Sequence, residues 1–162
     1  MNAKKAIYTG SFDPITNGHL DIIRRARDIF GALTVLVIPN GAKNPLFSLE
    51  ERCSLAEQAL AAEPGVTVAS ADGGLLADYL KEHGYNVIVR GLRGAQDVPH
   101  EFTNAYYNRA FCPQAETVFL PARPEWTFVS SSAVREAVRY GADVSRWVPP
   151  CVARAMREKY RK

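Results

Sequence analysis

The 162-residue chain has only three cysteines, Cys53, Cys112 and Cys151, far apart and with no Cys-x-x-Cys pair. That spacing supports neither a disulfide framework nor a zinc site, so the thiols read as reduced and structural. No apolar run approaches the ~20 residues that a membrane span requires, which excludes a helical membrane protein. The first residues, Met1 to Lys5, run directly into the short stretch Ala6 to Tyr8 without the apolar core or cleavage site of a secretory signal, so a cytoplasmic protein is expected. Net charge is small, +3 with a pI near 8.8. Such an excess suits phosphate-bearing ligands but falls short of a nucleic-acid footprint, and the basic ending "RAMREKYRK" reads as the solvated face of a terminal helix. Neither G-x-x-x-x-G-K-[ST] nor G-x-G-x-x-G occurs, which excludes a P-loop NTPase and an ordinary dinucleotide binder. Internal repeats, low-complexity tracts and dividing linkers are also missing. The expectation is one domain over residues 1–162, long enough to close its own core.

What the chain does have is alternation. Short apolar runs, most of them rich in β-branched residues, recur at Ala6 to Tyr8, Leu33 to Ile38, Val66 to Val68, Val87 to Val89 and Val118 to Leu120. They read as strands buried on both faces. Between them lie helical patterns. His19 to Phe30 sets Leu20, Ile22, Ile23, Ala26, Ile29 and Phe30 on one broad side and leaves Arg24, Arg25, Arg27 and Asp28 to solvent. Ser48 and Glu51 form an S-x-x-E capping box that opens a second helix. Further helices fit Leu75 to His83 before Gly84, Glu101 to Phe111, Ser131 to Tyr140 before Gly141, and the segment from about Pro150 to the end. Alternation with right-handed crossovers predicts an α/β fold, a doubly wound, Rossmann-like sheet of five parallel strands covered by helices on both faces. Ligands of such sheets bind beyond the carboxyl ends of the strands.

Four segments at those ends carry anion-binding chemistry. The first, "TGSFDPITNGHL", lies at the corner between strand one and helix one. A helix start exposes unpaired N–H groups and the positive end of the dipole, so Asn17-Gly18-His19 can hold phosphate oxygens, with Ser11 and His19 as side-chain donors. Asn-Gly can instead make a hairpin turn, but the pattern that follows is helical rather than alternating. The second, "NGAKNP", follows strand two and offers Lys43, a surface lysine or an anion contact. In the third, "VIVRGLRGAQD", Arg90 and Arg93 can present forked donors to phosphates or pair with Asp97 and Glu101. The fourth, "EWTFVSSSAVRE", sets Ser130, Ser131 and Ser132 at a helix start, three hydroxyls where N-capping needs one. Trp126 and Phe128 can pack in the core or flank a nucleobase, and spacing leaves both open.

Taken together, "GSFDPITNGH", "RGLR" and "WTFVSSSAVRE" resemble the bacterial phosphopantetheine adenylyltransferase family over nearly the whole chain. The first looks like that family's version of the nucleotidyltransferase H-x-G-H motif, with Thr16 in the first histidine's place. The resemblance implies transfer of AMP from Mg-ATP to 4'-phosphopantetheine, giving dephospho-CoA and pyrophosphate, with Mg2+ carried by ATP. It implies catalytic roles for His19, Ser11 and Lys43, and phosphopantetheine contacts at Ser11, Lys43, Leu76 and Arg90. It implies ATP contacts at Ser11, Phe12, His19, Gly91, Leu92, Arg93 and Glu101, and along Trp126, Thr127, Phe128, Val129, Ser130, Ser131 and Ser132. A homohexamer inhibited by coenzyme A is a further implication. Two positions depart from the family pattern: Ser11 where threonine is common, and His100 where an aromatic residue is common.

Overall fold

The computed structural model describes residues 4–39 and 44–160. Five parallel strands, β1 (Ala6–Gly10), β2 (Leu33–Val37), β3 (Val66–Ser70), β4 (Val87–Leu92) and β5 (Glu116–Pro121), form one sheet in the order β3-β2-β1-β4-β5. Six helices connect and flank them: α1 (Asn17–Phe30), α2 (Leu49–Leu60), α3 (Leu76–His83), α4 (Val98–Phe111), α5 (Ser131–Arg139) and α6 (Pro150–Tyr160). This is the doubly wound α/β arrangement that the alternation predicts.

Side-chain alternation along each strand builds two cores. Ala6 and Tyr8 of β1 join Ile22 and Ile23 of α1, Leu55 and Ala56 of α2, Val134 of α5 and Met156 of α6 on one face. Ile7, between them in sequence, joins Leu36, Ile88 and Leu80 of α3 on the other. Each fully buried Leu or Ile contributes about 1.5–3 kcal/mol. Burial on both faces holds for β1, β2 and most of β4, whereas β3 and β5 remain partly open, because each ends the sheet with one neighbour only.

Element ends follow local chemistry. Ser48 and Glu51 make the expected reciprocal cap of α2 (Glu51 N–H to Ser48 Oγ, 3.2 Å; Ser48 N–H to Glu51 Oε2, 2.8 Å). Helix α1 begins two residues earlier than its apolar period suggests, because Thr16 caps it. Helix α4 begins at Val98 rather than Glu101, on a 3-10 turn over Ala95–Asp97 and with a proline in its first turn, where a missing N–H does no harm.

The strand order has one consequence for function. The chain winds from β1 outward through β2 and β3, then crosses back to lay β4 against the other side of β1, with Tyr8 opposite both Val35 and Val89. Connections leave β1 and β4 in opposite directions, so a crevice opens above their carboxyl ends.

Candidate active site

A cavity of about 570 Å³ occupies that crevice. Three of the four anion-binding segments line it: Gly10, Ser11, Phe12, Thr16, Gly18 and His19 from the β1–α1 corner, Arg90, Gly91 and Arg93 beyond β4, and Trp126 with Val129 to Ser132 before α5. Lys43, in the remaining segment "NGAKNP", lies outside the described residues.

The β1–α1 corner is held from several sides. Buried Arg52 of α2 donates to the carbonyls of Ser11 (2.6 Å), Ile38 (2.9 Å), Phe47 (3.2 Å) and Ser48 (3.3 Å). The Asp13 carboxylate accepts from the N–H groups of Leu46 (2.9 Å) and Phe47 (3.0 Å), Arg135 of α5 donates to the Asp13 carbonyl, and Ser131 Oγ donates to the Pro14 carbonyl (2.8 Å). Phe12 adopts φ 44°, in the left-handed region that a bulky residue rarely visits. The surrounding bonds hold it there, buried and edge-on to the His19 ring, with centroids 5.1 Å apart.

His19 has a defined tautomer. Thr16 N–H donates to His19 Nδ1 at 3.0 Å, while Thr16 Oγ1 accepts from His19 N–H at 3.3 Å. A backbone N–H can only donate, so Nδ1 carries the lone pair and Nε2 carries the proton. Burial pushes the imidazole pKa down to about 4 from 6.5, helped by the positive charges of Arg93 and Arg90. At neutral pH the ring is therefore an uncharged Nε2–H donor. The helix start itself offers fewer free amides than the sequence suggests: Asn17 N–H is taken by the Trp147 carbonyl (2.8 Å) and His19 N–H by Thr16, leaving Gly18 N–H without a partner among the described residues.

Both arginines reach the cavity already paired. Arg90 makes a bidentate bridge to the buried Glu101, Nε to Oε2 and Nη2 to Oε1, each 2.7 Å, and its Nη1 donates to the Thr9 carbonyl. Desolvation works against this guanidinium, but the Glu101 hydrogen bonds and charge outweigh it and raise the Arg90 pKa. Arg93 pairs more loosely with Asp97 (Nε to Oδ2, 3.2 Å) and is 42% exposed. The phosphate and ion-pair alternatives are thus not exclusive, but they differ: Arg90 has little donor capacity left, whereas Arg93 can change partner at small cost.

At the start of α5 the serines divide their work. Ser130 caps α5 by accepting from Ala133 N–H (3.1 Å), and Ser131 Oγ is spent on Pro14, while the N–H groups of Ser131 and Ser132 keep no partner among the described residues. Trp126 packs against the core with part of its ring and lines the cavity with the rest. A Cβ on Gly18 would stand 3.4 Å from Trp126 Cβ, so glycine lets this helix start approach the ring closely.

Four expected contacts are not brought to the cavity wall. Leu76, the first residue of α3, packs on the second core; Leu92 stays in the β4–β5 ladder and gives its carbonyl to Ala122 N–H (2.7 Å). Thr127 Oγ1 donates to the Pro124 carbonyl (3.0 Å) to close a 3-10 turn, and Phe128 lies exposed, edge-on to Trp147. Of the two departures, Ser11 lines the cavity and so does His100, whose Nε2 lies 3.1 Å from Asn104 Nδ2. Lining residues that the sequence did not single out are Tyr8, Thr9, Ile22, Gln96 and Ala122. Tyr8 and Ile22 read as plain core in an apolar run, and no local pattern marks them.

A switch-point cavity with a T-x-G-H helix start, a paired-arginine strand end and a serine-rich helix start defines a nucleotidyltransferase, and the chain matches the cytidylyltransferase-like family over residues 7–137. The crystal structure of a putative nicotinate-nucleotide adenylyltransferase from Vibrio parahaemolyticus superposes with a TM-score of 0.71 over 98% of this chain and 96% of that one, at 19% identity, which speaks for the fold alone. Phosphopantetheine adenylyltransferase from Thermotoga neapolitana is 52% identical over 97% of each chain. The enzymes of that name from Syntrophus aciditrophicus and Alkaliphilus metalliredigens are 47% and 46% identical, over 97% and 96% of this chain and 94% and 99% of theirs. The chain belongs to the phosphopantetheine adenylyltransferase family.

Proposed function

We propose that the protein transfers the adenylyl group of Mg-ATP to 4'-phosphopantetheine, releasing pyrophosphate and forming dephospho-CoA, the penultimate step of coenzyme A synthesis. The observation that carries this reading is the neutral Nε2–H of His19, fixed by Thr16 at a helix start that opens into a cavity of about 570 Å³.

The acceptor is a phosphate monoester, largely dianionic at neutral pH because its second pKa is about 6. One of its oxygens attacks the α-phosphorus, the bond from that phosphorus to the bridging oxygen breaks in line, and the electron pair leaves with pyrophosphate. No proton has to be removed from the nucleophile, so no general base is needed. The obstacle is repulsion between two anions, and alignment with charge stabilisation must supply most of the rate. His19 Nε2–H and Gly18 N–H stabilise charge growing on the α-phosphate. Ser11 and Lys43 orient the attacking phosphate, and Arg90, steadied by Glu101, offers the acceptor its one remaining Nη2–H. Arg93 and the amides of Ser131 and Ser132 serve the nucleotide's phosphates, with Trp126 beside the base. Magnesium arrives on the triphosphate, since the carboxylates lining the cavity, Asp97 and Glu101, are taken up by Arg93 and Arg90.

One nucleotidyltransferase domain over residues 1–162, acting in the cytoplasm as a homohexamer inhibited by coenzyme A, completes the reading. Self-association is supported by α4, which exposes Phe102, Tyr106, Tyr107 and Phe111, more aromatic surface than one helix of a monomer usually leaves open. Purified protein incubated with Mg-ATP and phosphopantetheine should yield dephospho-CoA and pyrophosphate; ATP binding without product would overturn the assignment.

A further inference from the structure

Tyr8 lies in the middle of β1, and its ring does a core residue's work, edge-on to Phe12 at 5.4 Å. Phenylalanine would pack there equally well, so the hydroxyl needs its own explanation. The side chain is 6% exposed, yet the phenol oxygen has no hydrogen-bond partner among the described residues. No fully buried side-chain oxygen or nitrogen is left unpaired among them, so this oxygen must emerge at the cavity wall, where Tyr8 is a lining residue. At the wall that oxygen is open to whatever fills the cavity, and a ligand that takes its place in the solvent must satisfy it or leave it unpaired.

Its position says which ligand. Tyr8 belongs to the sheet face that carries α1 and α5, the elements bearing His19 and the serine cluster, whereas its neighbour Thr9 bonds Arg90. The phenol oxygen stands 3.7 Å from where a Cβ on Gly91 would be, and Gly91 lacks one. A Cβ there would first meet Ile22 Cγ1 at 3.2 Å, so glycine admits the Ile22 side chain and leaves the hydroxyl beside it uncrowded. We infer that the Tyr8 hydroxyl donates a hydrogen bond to the sugar–phosphate part of bound ATP, making Tyr8 a nucleotide contact in addition to those that sequence motifs mark. Burial holds the phenol pKa up at about 12, so the group stays a donor throughout any working pH range. This rests on the adenylyltransferase reading for the identity of the nucleotide.

Tyr8→Phe tests it directly, because the hydroxyl has no protein partner whose loss could disturb the fold. The expected result is a KM for Mg-ATP raised by about tenfold, the scale of one lost hydrogen bond in a dry site, with the KM for phosphopantetheine and the melting temperature of the free protein unchanged. Calorimetric titration with a non-hydrolysable ATP analogue should show the same loss without turnover. An unchanged nucleotide affinity, a loss falling on phosphopantetheine instead, or a lowered melting temperature of the free protein would each overturn the inference. Failure of the wild-type protein to form dephospho-CoA while still binding the analogue would sink the functional reading instead, and the titration would still judge Tyr8.

Discussion

Replacing His19 separates the proposed catalytic donor from the structural cap, because one ring would serve both. Its Nδ1 accepts the Thr16 N–H that closes the capping box, and its Nε2–H is the donor proposed for the α-phosphate. In His19→Ala both are lost. Turnover should fall by about two to three orders of magnitude, the scale of a missing oxyanion donor. Stability should fall by about 1 kcal/mol for the unpaired Thr16 N–H. His19→Gln resolves the two, since a glutamine at this helix position can return its side-chain carbonyl to the cap. Urea unfolding should then recover while steady-state pyrophosphate release stays low. Recovery of turnover together with stability would refute the reasoning, because the cap alone would then account for His19. An acid limb gives an independent check. The folded chain resists protonating His19 until about pH 4, whereas the unfolded chain takes up that proton below 6.5. The stabilising contribution of the neutral ring is therefore complete above pH 6.5 and is lost as pH falls towards about 4, roughly 3 kcal/mol at the acid end. Unfolding measured across that window should lose this part of its pH dependence in His19→Gln.

Substitutions at four more residues follow from the bonds around the cavity. Arg52→Leu removes a buried cation from four carbonyls and should cost about 3 kcal/mol or more in urea unfolding, with Arg52→Lys recovering part; a cost below about 0.5 kcal/mol would mean those carbonyls find other partners. Arg90→Ala should destabilise by about 3–5 kcal/mol because it strands the buried Glu101 carboxylate, whereas Arg93→Ala should leave stability within about 1 kcal/mol and weaken ATP binding instead. Equal stability losses in the two variants would contradict the difference in burial. Asp97→Asn frees Arg93 without removing it and should tighten ATP binding several-fold in low salt, an effect that added salt erodes; weaker binding would show that Asp97 helps the nucleotide directly.

Local chemistry was legible in the sequence, and pairings across the chain were not. Ser48 and Glu51 announce their cap because both partners lie within one turn, and the strands announce themselves by composition. Thr16 and His19 make the same kind of box, but with histidine where glutamate or glutamine is the usual sign, so the start of α1 reads two residues late. The sheet order depends on which strand β4 chooses, and nothing within β4 encodes that choice. Arg90 and Glu101 illustrate the limit for the site. Eleven residues apart, they stay one alternative among several until β4 and α4 are set side by side, and then the bidentate bridge follows. Tyr8 is the converse case, a residue whose strand pattern fully explains its ring and hides its hydroxyl.

The cavity solves the repulsion problem differently from what a count of its cations suggests. Arg90 carries Glu101, Arg93 carries Asp97, and His19 is neutral, so an arriving polyanion meets little uncompensated positive charge from these groups. A strongly positive pocket would hold ATP and pyrophosphate alike and slow release of the product. A nearly balanced one, furnished with fixed neutral donors and one arginine on a loose tether, can favour the reacting geometry over either anion at rest, since neutral dipoles aimed at a growing charge gain most where that charge grows. Pairing also fixes where the guanidinium groups stand before the ligand arrives, so less ordering remains to be done on binding. On the proposed reaction, the net positive charge that the described residues withhold would have to come from Lys43 and the magnesium on ATP. Turnover should accordingly respond more steeply to Lys43→Ala than ATP affinity does, and the opposite split would mean that charge in this cavity serves capture rather than reaction.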